Sequence, residues 1–458
     1  MIDVILEQIK NKKIVILGFG REGVSTYRFI RKHFPSMDIV AADRSEALNI
    51  EEFKNDKHLR FVIGSEYAQN LNDYDLIFKT PGVNLNNINY FIHPYRITSQ
   101  TELFLQGFRQ QVIGVTGTKG KSTTSSLIYH LLSNSRGNTF LAGNIGIPFF
   151  NIIDELDENS IIVAELSAHQ LEFSETSPHI AVLLNMFQEH LDHFQSLSNY
   201  QLAKMNITKF QQESDILIYN NEDEHIPQLI KSHDYKRNFL KFSSLQSIDT
   251  GCYCMDDNLM YVRKGELLGE YDLRYYYNLP GRHNYNNIMA AILAVKNYGV
   301  SDEDIMKYLA TFNGLEHRIE YVGTFQNIKF YNDSISTIPE AAIAALKALK
   351  NVNTLILGGF DRGIAYDHLI DYLNENPVCH VVFTGPAGHR IKQEWESKYP
   401  LPDSVLEEDD FGKIVNYCFQ VTEKGKSCLL SPAASSYDQF KNFEFRGRKF
   451  KDEIRRHE

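Results

Sequence analysis

Short apolar runs recur along this chain, and most are continuous rather than alternating. Residues 13–17, 112–115, 161–166, 179–185 and 215–219 are such runs, and 329–332, 354–357, 380–384 and 427–430 follow. A strand with one face in water alternates apolar and polar residues. A continuous run marks a strand buried on both faces, as in a parallel sheet covered by helices. Helix-forming stretches, 123–132 and 338–349 among them, lie between the runs. This alternation predicts doubly wound α/β domains. The 458 residues suggest about three domains at roughly 150 residues each. The joints are expected near residues 105–110 and 313–316. That gives an expected division into 1–105, 106–314 and 315–458. Residues 232–273 are polar and irregular, with two hairpin-like stretches, and are expected to add antiparallel strands to the central domain.

The run 112–115 leads into Gly117-Thr118-Lys119-Gly120-Lys121-Ser122-Thr123-Thr124, and a helix-forming stretch follows. Such a loop presents backbone N–H groups to phosphate oxygens at a helix N-terminus. Lys121 supplies a positive charge for the β- and γ-phosphates. The hydroxyl of Ser122 or Thr123 can ligate a Mg²⁺ that bridges them. The loop is shorter than the GxxxxGK[ST] pattern: Val115 stands where the first glycine belongs, and Gly114 is one residue early. Glu165 ends the apolar run before it, a strand-end carboxylate suited to Mg²⁺. The stretch Asn185-Met186-Phe187-Gln188-Glu189-His190-Leu191-Asp192-His193 is not the zinc-protease HExxH, because Gln188 and Asp192 occupy both histidine positions.

A second glycine loop, Gly18-Phe19-Gly20-Arg21-Glu22-Gly23, follows the apolar residues 14–17, and Asp43 closes the next apolar run. Alone it reads as a dinucleotide site and makes an NAD-dependent oxidoreductase the rival. The physics is broader: any diphosphate can approach such a helix N-terminus, and an acid at the next strand end can meet any ribose or base. The net charge of −11 disfavours broad nucleic-acid binding but leaves room for a local basic pocket. The five cysteines are odd in number and form no CxxC pair, as expected of reduced thiols in a cytoplasmic chain. The N-terminus has no signal-peptide pattern, and no apolar run reaches the roughly 18 residues of a membrane span.

The phosphate loop resembles the ATP loop of the Mur ligase family, whose members add amino acids to the nucleotide precursor of the bacterial cell wall. Further strings resemble the same family in order: Glu165-Leu166-Ser167, the segment Asn185 to Asp192 with Glu189 in place of the usual Asp, and Tyr200-Gln201-Leu202-Ala203-Lys204. Gly281-Arg282-His283-Asn284-Tyr285-Asn286-Asn287, Gly314-Leu315-Glu316-His317-Arg318 and Asn332-Asp333-Ser334 continue the series. The resemblance implies a Rossmann-like N-terminal domain, a central P-loop ATPase-like domain and a Rossmann-like C-terminal domain. It implies that Gly117, Thr118, Lys119, Gly120, Lys121, Ser122 and Thr123, with Asn287, Arg318 and Asp333, hold ATP. Lys121, Glu165, His190 and Lys204 are the implied catalytic residues. Ser122, Glu165, His190 and Lys204 are the implied Mg²⁺ residues. In the family the matching lysine is carbamoylated; an unmodified, solvated Lys204 is the plain alternative.

In the family's glutamate-adding branch the first domain binds UDP, and the likeness there covers Gly18 to Gly23, Asp43-Arg44 and Thr80-Pro81-Gly82-Val83. This implies that Gly18, Gly20, Gly23, Asp43 and Arg44 hold a UDP-N-acetylmuramoyl-L-alanine substrate, and Ala142-Gly143-Asn144-Ile145-Gly146, which resembles a further family string, adds Asn144. The stretch from Leu430 to Gly447 resembles that branch most specifically and implies Ser436 and Phe443 on the incoming glutamate; the string Leu357 to Gly363 adds Arg362, and Thr337 also matches a glutamate-contacting position. One departure stands out: Asn332-Asp333-Ser334-Ile335-Ser336-Thr337-Ile338 lacks the branch's usual lysine after the serine. The string is similar to that of a variant branch adding L-glutamate. Both enantiomers therefore stay open, with D-glutamate the use of the commoner branch. The implied chemistry is ATP-driven amide formation by a monomer using ATP and Mg²⁺, with no nucleic-acid or membrane partner.

Overall fold

The computed structural model describes all residues except 49, 89–91, 233–236, 274–278, 280–282, 350, 403 and 458, and omits the side chains of 87 and 283. Gly281, Arg282 and the His283 side chain thus lie outside the described residues. The chain forms two compact units, Met1–Tyr275 with His283–Leu309, and Tyr276–Arg282 with Ala310–Glu458.

The first unit holds two sheets. The smaller is parallel throughout, in the order Leu59–Ile63, Ile39–Asp43, Ile14–Leu17, Leu76–Lys79, Ile97–Thr98. Its central strand Ile14–Leu17 is buried at every position, as a continuous apolar run requires. The larger sheet has nine strands, and Val112–Thr116 sits inside it between Ile161–Glu165 and Ile180–Leu183. It runs parallel from Thr139–Gly143 at one edge as far as Gly251–Met255. The region expected to add only antiparallel hairpins first supplies a parallel strand, Asn238–Ser243. It then forms an antiparallel meander of Gly251–Met255, Asn258–Arg263 and Glu266–Asp272. The second turn of that meander is Lys264-Gly265, both at positive φ, the geometry that matches the twist of paired strands.

One apolar cluster runs through the first unit, from Ile5, Phe29 and Phe78 through Phe104 and Phe150 to Ile162 and Leu183. Phe104 stacks on Phe108 and Phe149 at 4.9 and 4.6 Å, and Phe29 packs on Phe150 at 4.2 Å. The joint expected near 105–110 falls within this unit, on helix Gln100–Phe108 and the turn after it.

The second unit is built on a six-stranded sheet in the order Glu320–Phe325, Ile328–Asn332, Ser427–Leu430, Val352–Gly358, His380–Thr384, Ser404–Glu407. Only the first pair is antiparallel, joined through Gln326-Asn327 at positive φ. The remaining strands are parallel, so their carboxyl ends gather on one side and carry the loops discussed below. No helix among the described residues is long and apolar enough to cross a membrane.

Candidate functional site

Strand Val112–Thr116 ends in the loop Gly117–Gly120, and helix Lys121–Ser135 begins at once. Gly120 caps that helix at φ +84°, and a Cβ there would clash with Asn287 Oδ1. Asn287 is buried; its Oδ1 accepts from Thr124 Oγ1 at 3.2 Å, and its Nδ2 donates to Asn284 Oδ1 at 2.8 Å. Asn185 holds the loop from below: its main-chain oxygen accepts from Thr118 N at 2.9 Å and its side chain makes two bonds with the Lys119 backbone, at 2.8 and 3.0 Å. Lys119 pairs with Glu189 at 2.7 Å.

Two lysines meet at one oxygen. Lys121 Nζ donates to Gly117 O at 2.9 Å and to Thr118 O at 3.0 Å, while Lys204 Nζ donates to the same Gly117 O at 2.9 Å. Lys204 lies 1 % exposed over the Tyr200 ring. Burial, and then the charge of Lys121, pull its pKa well below the ordinary lysine value, against the opposing fields of Glu189 and Glu165. Ser122 and Thr123 stand in the first turn of the same helix.

Glu165 ends strand Ile161–Glu165. Its Oε1 accepts from Asn144 Nδ2 at 2.6 Å, and its Oε2 is buried with no hydrogen-bond partner. A buried carboxylate oxygen without a donor is a place for a cation. Among the described residues no group of three His, Cys, Asp or Glu side chains clusters to hold a metal alone. An ion at Glu165 would therefore need further ligands of another kind. His190 takes a left-handed backbone, φ +55°, and its ring lies 4.8 Å from that of His169. Burial, with His193 and His190 next, pushes the His169 pKa down to about 4.

The first glycine loop borders a cavity of about 450 Å³. All six residues expected to hold the UDP substrate, Gly18, Gly20, Gly23, Asp43, Arg44 and Asn144, line it. Gly18 sits at φ +91° against Thr80, and a Cβ on Gly23 would strike the Gly18 carbonyl. The Asp43 carboxylate is engaged by backbone, accepting from Phe19 N at 2.6 Å and Ser45 N at 2.8 Å. Glu22 and Gln170 line the same cavity, and neither was among the expected site residues. Burial lifts Glu22 to about 7, against a hydrogen bond from Gln170 and the charges of Lys79 and Arg21. Lys79 in turn pairs with Glu172 at 3.1 Å. A Glu in a helix's first turn gives no local sign of such surroundings; Lys79 and Gln170 reach it from distant points of the sequence.

The second unit carries the remaining expected residues. Arg318 is exposed, between His317 and Ile319, which both take positive φ. Asp333 accepts from Ile319 N at 3.1 Å and Ser431 Oγ at 2.7 Å. Burial pushes it up to about 6 against those bonds, one from Ser336 and the charge of Arg318. Arg362 Nη2 donates to Thr337 O at 2.6 Å, bringing these two together. Ser436 is buried, and the Phe443 ring meets His317 edge-on at 5.9 Å.

Residues 115–295, which include the Gly117–Thr124 loop, match the Mur ligase middle domain. The chain is 33 % identical over 97 % of both lengths to the UDP-N-acetylmuramoylalanine--D-glutamate ligase of Ruminiclostridium cellulolyticum. It is 32 % identical to the enzyme of the same name from Clostridium novyi, over 97 % of this chain and 96 % of that one. In fold it is similar to UDP-N-acetylmuramate-alanine ligase MurC of Thermotoga maritima, with TM-score 0.56 and 20 % identity over 98 % of this chain and all of that one. It is likewise similar to MurF ligase of Thermotoga maritima, solved in complex with ADP, with TM-score 0.53 and 19 % identity over 92 % and 96 %. The chain belongs to the Mur ligase family, in the branch of the D-glutamate-adding ligases. The oxidoreductase reading of the first glycine loop is not favoured.

Proposed function

We propose that this enzyme joins D-glutamate to UDP-N-acetylmuramoyl-L-alanine at the expense of ATP, in the synthesis of the cell-wall precursor in the cytoplasm. The observation that carries the reading is the Gly117–Lys121 loop, where two lysines and a helix N-terminus converge beside Glu165 with its unpartnered oxygen. Similarity along 97 % of the chain to relatives of that named activity supports the choice of substrates, and of D- over L-glutamate.

In this reading the cavity at Gly18, Gly20 and Gly23 takes the UDP moiety, with Asp43, Arg44 and Asn144 around it. The substrate carboxylate attacks the γ-phosphate of ATP, giving an acyl phosphate and ADP. The glutamate amine then attacks the acyl carbon, and phosphate leaves. Both steps build negative charge on oxygen, which Lys121 and the helix N-terminus offset. Asn287, Arg318 and Asp333 hold the nucleotide. Ser122, Glu165 and His190, with Lys204 as a carbamate, would hold Mg²⁺, which polarises the phosphoryl oxygens when bound. A buried lysine amine with its proton withdrawn is the form that adds carbon dioxide, so the surroundings of Lys204 suit that modification. Thr337, Arg362, Ser436 and Phe443 receive the glutamate; the Arg362 guanidinium suits its side-chain carboxylate.

The test is reconstitution with ATP, Mg²⁺, UDP-N-acetylmuramoyl-L-alanine and each glutamate enantiomer. The expected outcome is phosphate release and a product heavier by one glutamyl residue with D-glutamate. Lys121→Ala is expected to lower turnover by about a hundredfold to a thousandfold with folding intact. Near-normal turnover in that variant, or release with L-glutamate alone, overturns the reading.

A further inference from the structure

Arg446 is among the largest fully buried side chains of the described residues, 1 % exposed. It lies in helix Phe443–Arg455, one turn after Phe443. A buried guanidinium normally meets a carboxylate, because an unpaired charge is costly away from water. Here every hydrogen bond goes to a neutral oxygen. Nε donates to Ser334 Oγ at 3.0 Å, and Nη2 donates to Ser334 O and Ala434 O, both at 2.9 Å. Nη1 donates to Ser435 O at 3.1 Å and Gly358 O at 3.3 Å. Burial lowers its pKa to about 10, against the fields of Asp438 and Asp333, so the group stays charged at neutral pH.

The four partners belong to three separate loops at the carboxyl ends of strands Ile328–Asn332, Val352–Gly358 and Ser427–Leu430. One leads to Thr337, one to Arg362 and one to Ser436. Ser334 Oγ also donates to Phe443 O at 2.8 Å, which ties the helix start into the same knot. Two glycines make room for it. A Cβ on Gly359 would clash with Ser435 O and crowd Arg446 Nη1, and one on Gly447 would clash with His317.

We propose that Arg446 is a positioning residue, which sets the mutual spacing of the loops carrying Thr337, Arg362 and Ser436 and so shapes the amino-acid site. The spacing rests on a planar fork of five donors; a lysine, with one nitrogen, cannot span it. Asp333 does not depend on the fork, since Ser431 and the Ile319 N–H hold its carboxylate. The inference rests on the reading of these residues as the glutamate site.

The experiment compares the wild-type enzyme with Arg446→Lys and Ser334→Ala. Arg446→Lys is expected to raise the KM for D-glutamate by about tenfold to a hundredfold, the scale of loss from misplacement of about an ångström. Ser334→Ala, which removes one node, is expected to raise it about twofold to tenfold. The KM for ATP stays unchanged in both. Amide exchange is expected to speed up together in 334–338, 358–362 and 434–437 and nowhere else. A folded Arg446→Lys with wild-type exchange in those loops and a wild-type glutamate KM overturns the proposal. So does an equal rise in all substrate KM values. If Arg446→Lys fails to fold, Ser334→Ala decides by the same two readouts. A wild-type enzyme that does not consume glutamate overturns the reading of the reaction, while the exchange pattern still judges the clamp.

Discussion

Lys121 and Lys204 share the carbonyl oxygen of Gly117, so one neutral acceptor serves two ammonium groups in a loop shaped for anions. Their mutual repulsion and the burial of Lys204 act in the same direction on the Lys204 proton. A triphosphate entering the loop offers Lys121 a stronger partner than the two carbonyls it now contacts. Glu22 is the opposite case, an acid in the wall of the cavity at the first glycine loop. Its proton is held more tightly in the folded chain than in the unfolded one, since burial lifts it from 4.5 to about 7. Folding therefore takes up a proton between those values, and stability falls as pH rises through that window. Glu22→Gln keeps the shape and removes the charge. It is expected to match the wild type near pH 4.5 and to exceed it by about 1–3 kcal/mol at pH 8, read from thermal unfolding at both pH values. A constant gap between the two proteins across that range would refute it. Neither Glu22 nor Arg446 was legible as a special residue, because Lys79 and Gln170 reach the first, and Ser334 and Gly358 the second, from far away in the chain.

Elements read well where burial dictates the residue pattern. Strand Val112–Thr116 was visible as an apolar run because both its faces are covered, and helix Lys121–Ser135 followed from the loop before it. Asn238–Ser243 was missed as a parallel strand: its exposure is mixed along its length, so it lacks the continuous apolar run that marked the others. The phosphate loop itself admits a direct check. Gly120 holds a left-handed conformation hard against Asn287, so Gly120→Ala must both strain the backbone and push Asn287 away. The backbone cost alone is about 1–2 kcal/mol. Calorimetric titration is expected to show ATP affinity lower by about tenfold or more, with affinity for the UDP substrate retained. Equal affinity for ATP in the variant would remove the loop from the nucleotide site. The string around Asn287 is legible in the sequence, but its packing under Gly120 is set by the fold.

At the scale of the whole molecule, the expected nucleotide residues are divided: Lys121 and Asn287 belong to one compact unit, Arg318 and Asp333 to the other. The proposed nucleotide role is therefore checked in each unit separately: Lys121→Ala and Arg318→Ala are each expected to weaken ATP binding by about tenfold or more in calorimetric titration, and an Arg318→Ala variant with unchanged ATP affinity would remove Arg318 from the nucleotide residues. The charge of −11 is that of the whole chain and does not bar a proposed site whose residues include the cations Lys121, Arg318 and Arg362. The apolar cluster shared by the two sheets of the first unit also bears on how this enzyme can be taken apart. A fragment ending after helix Gln100–Phe108 would leave Phe29, Phe104 and Phe108 without Phe149 and Phe150, a sticky surface prone to aggregation. A chimera that exchanges the sheet of strand Ile14–Leu17 with that of another ligase must therefore carry residues 149 and 150 along with it.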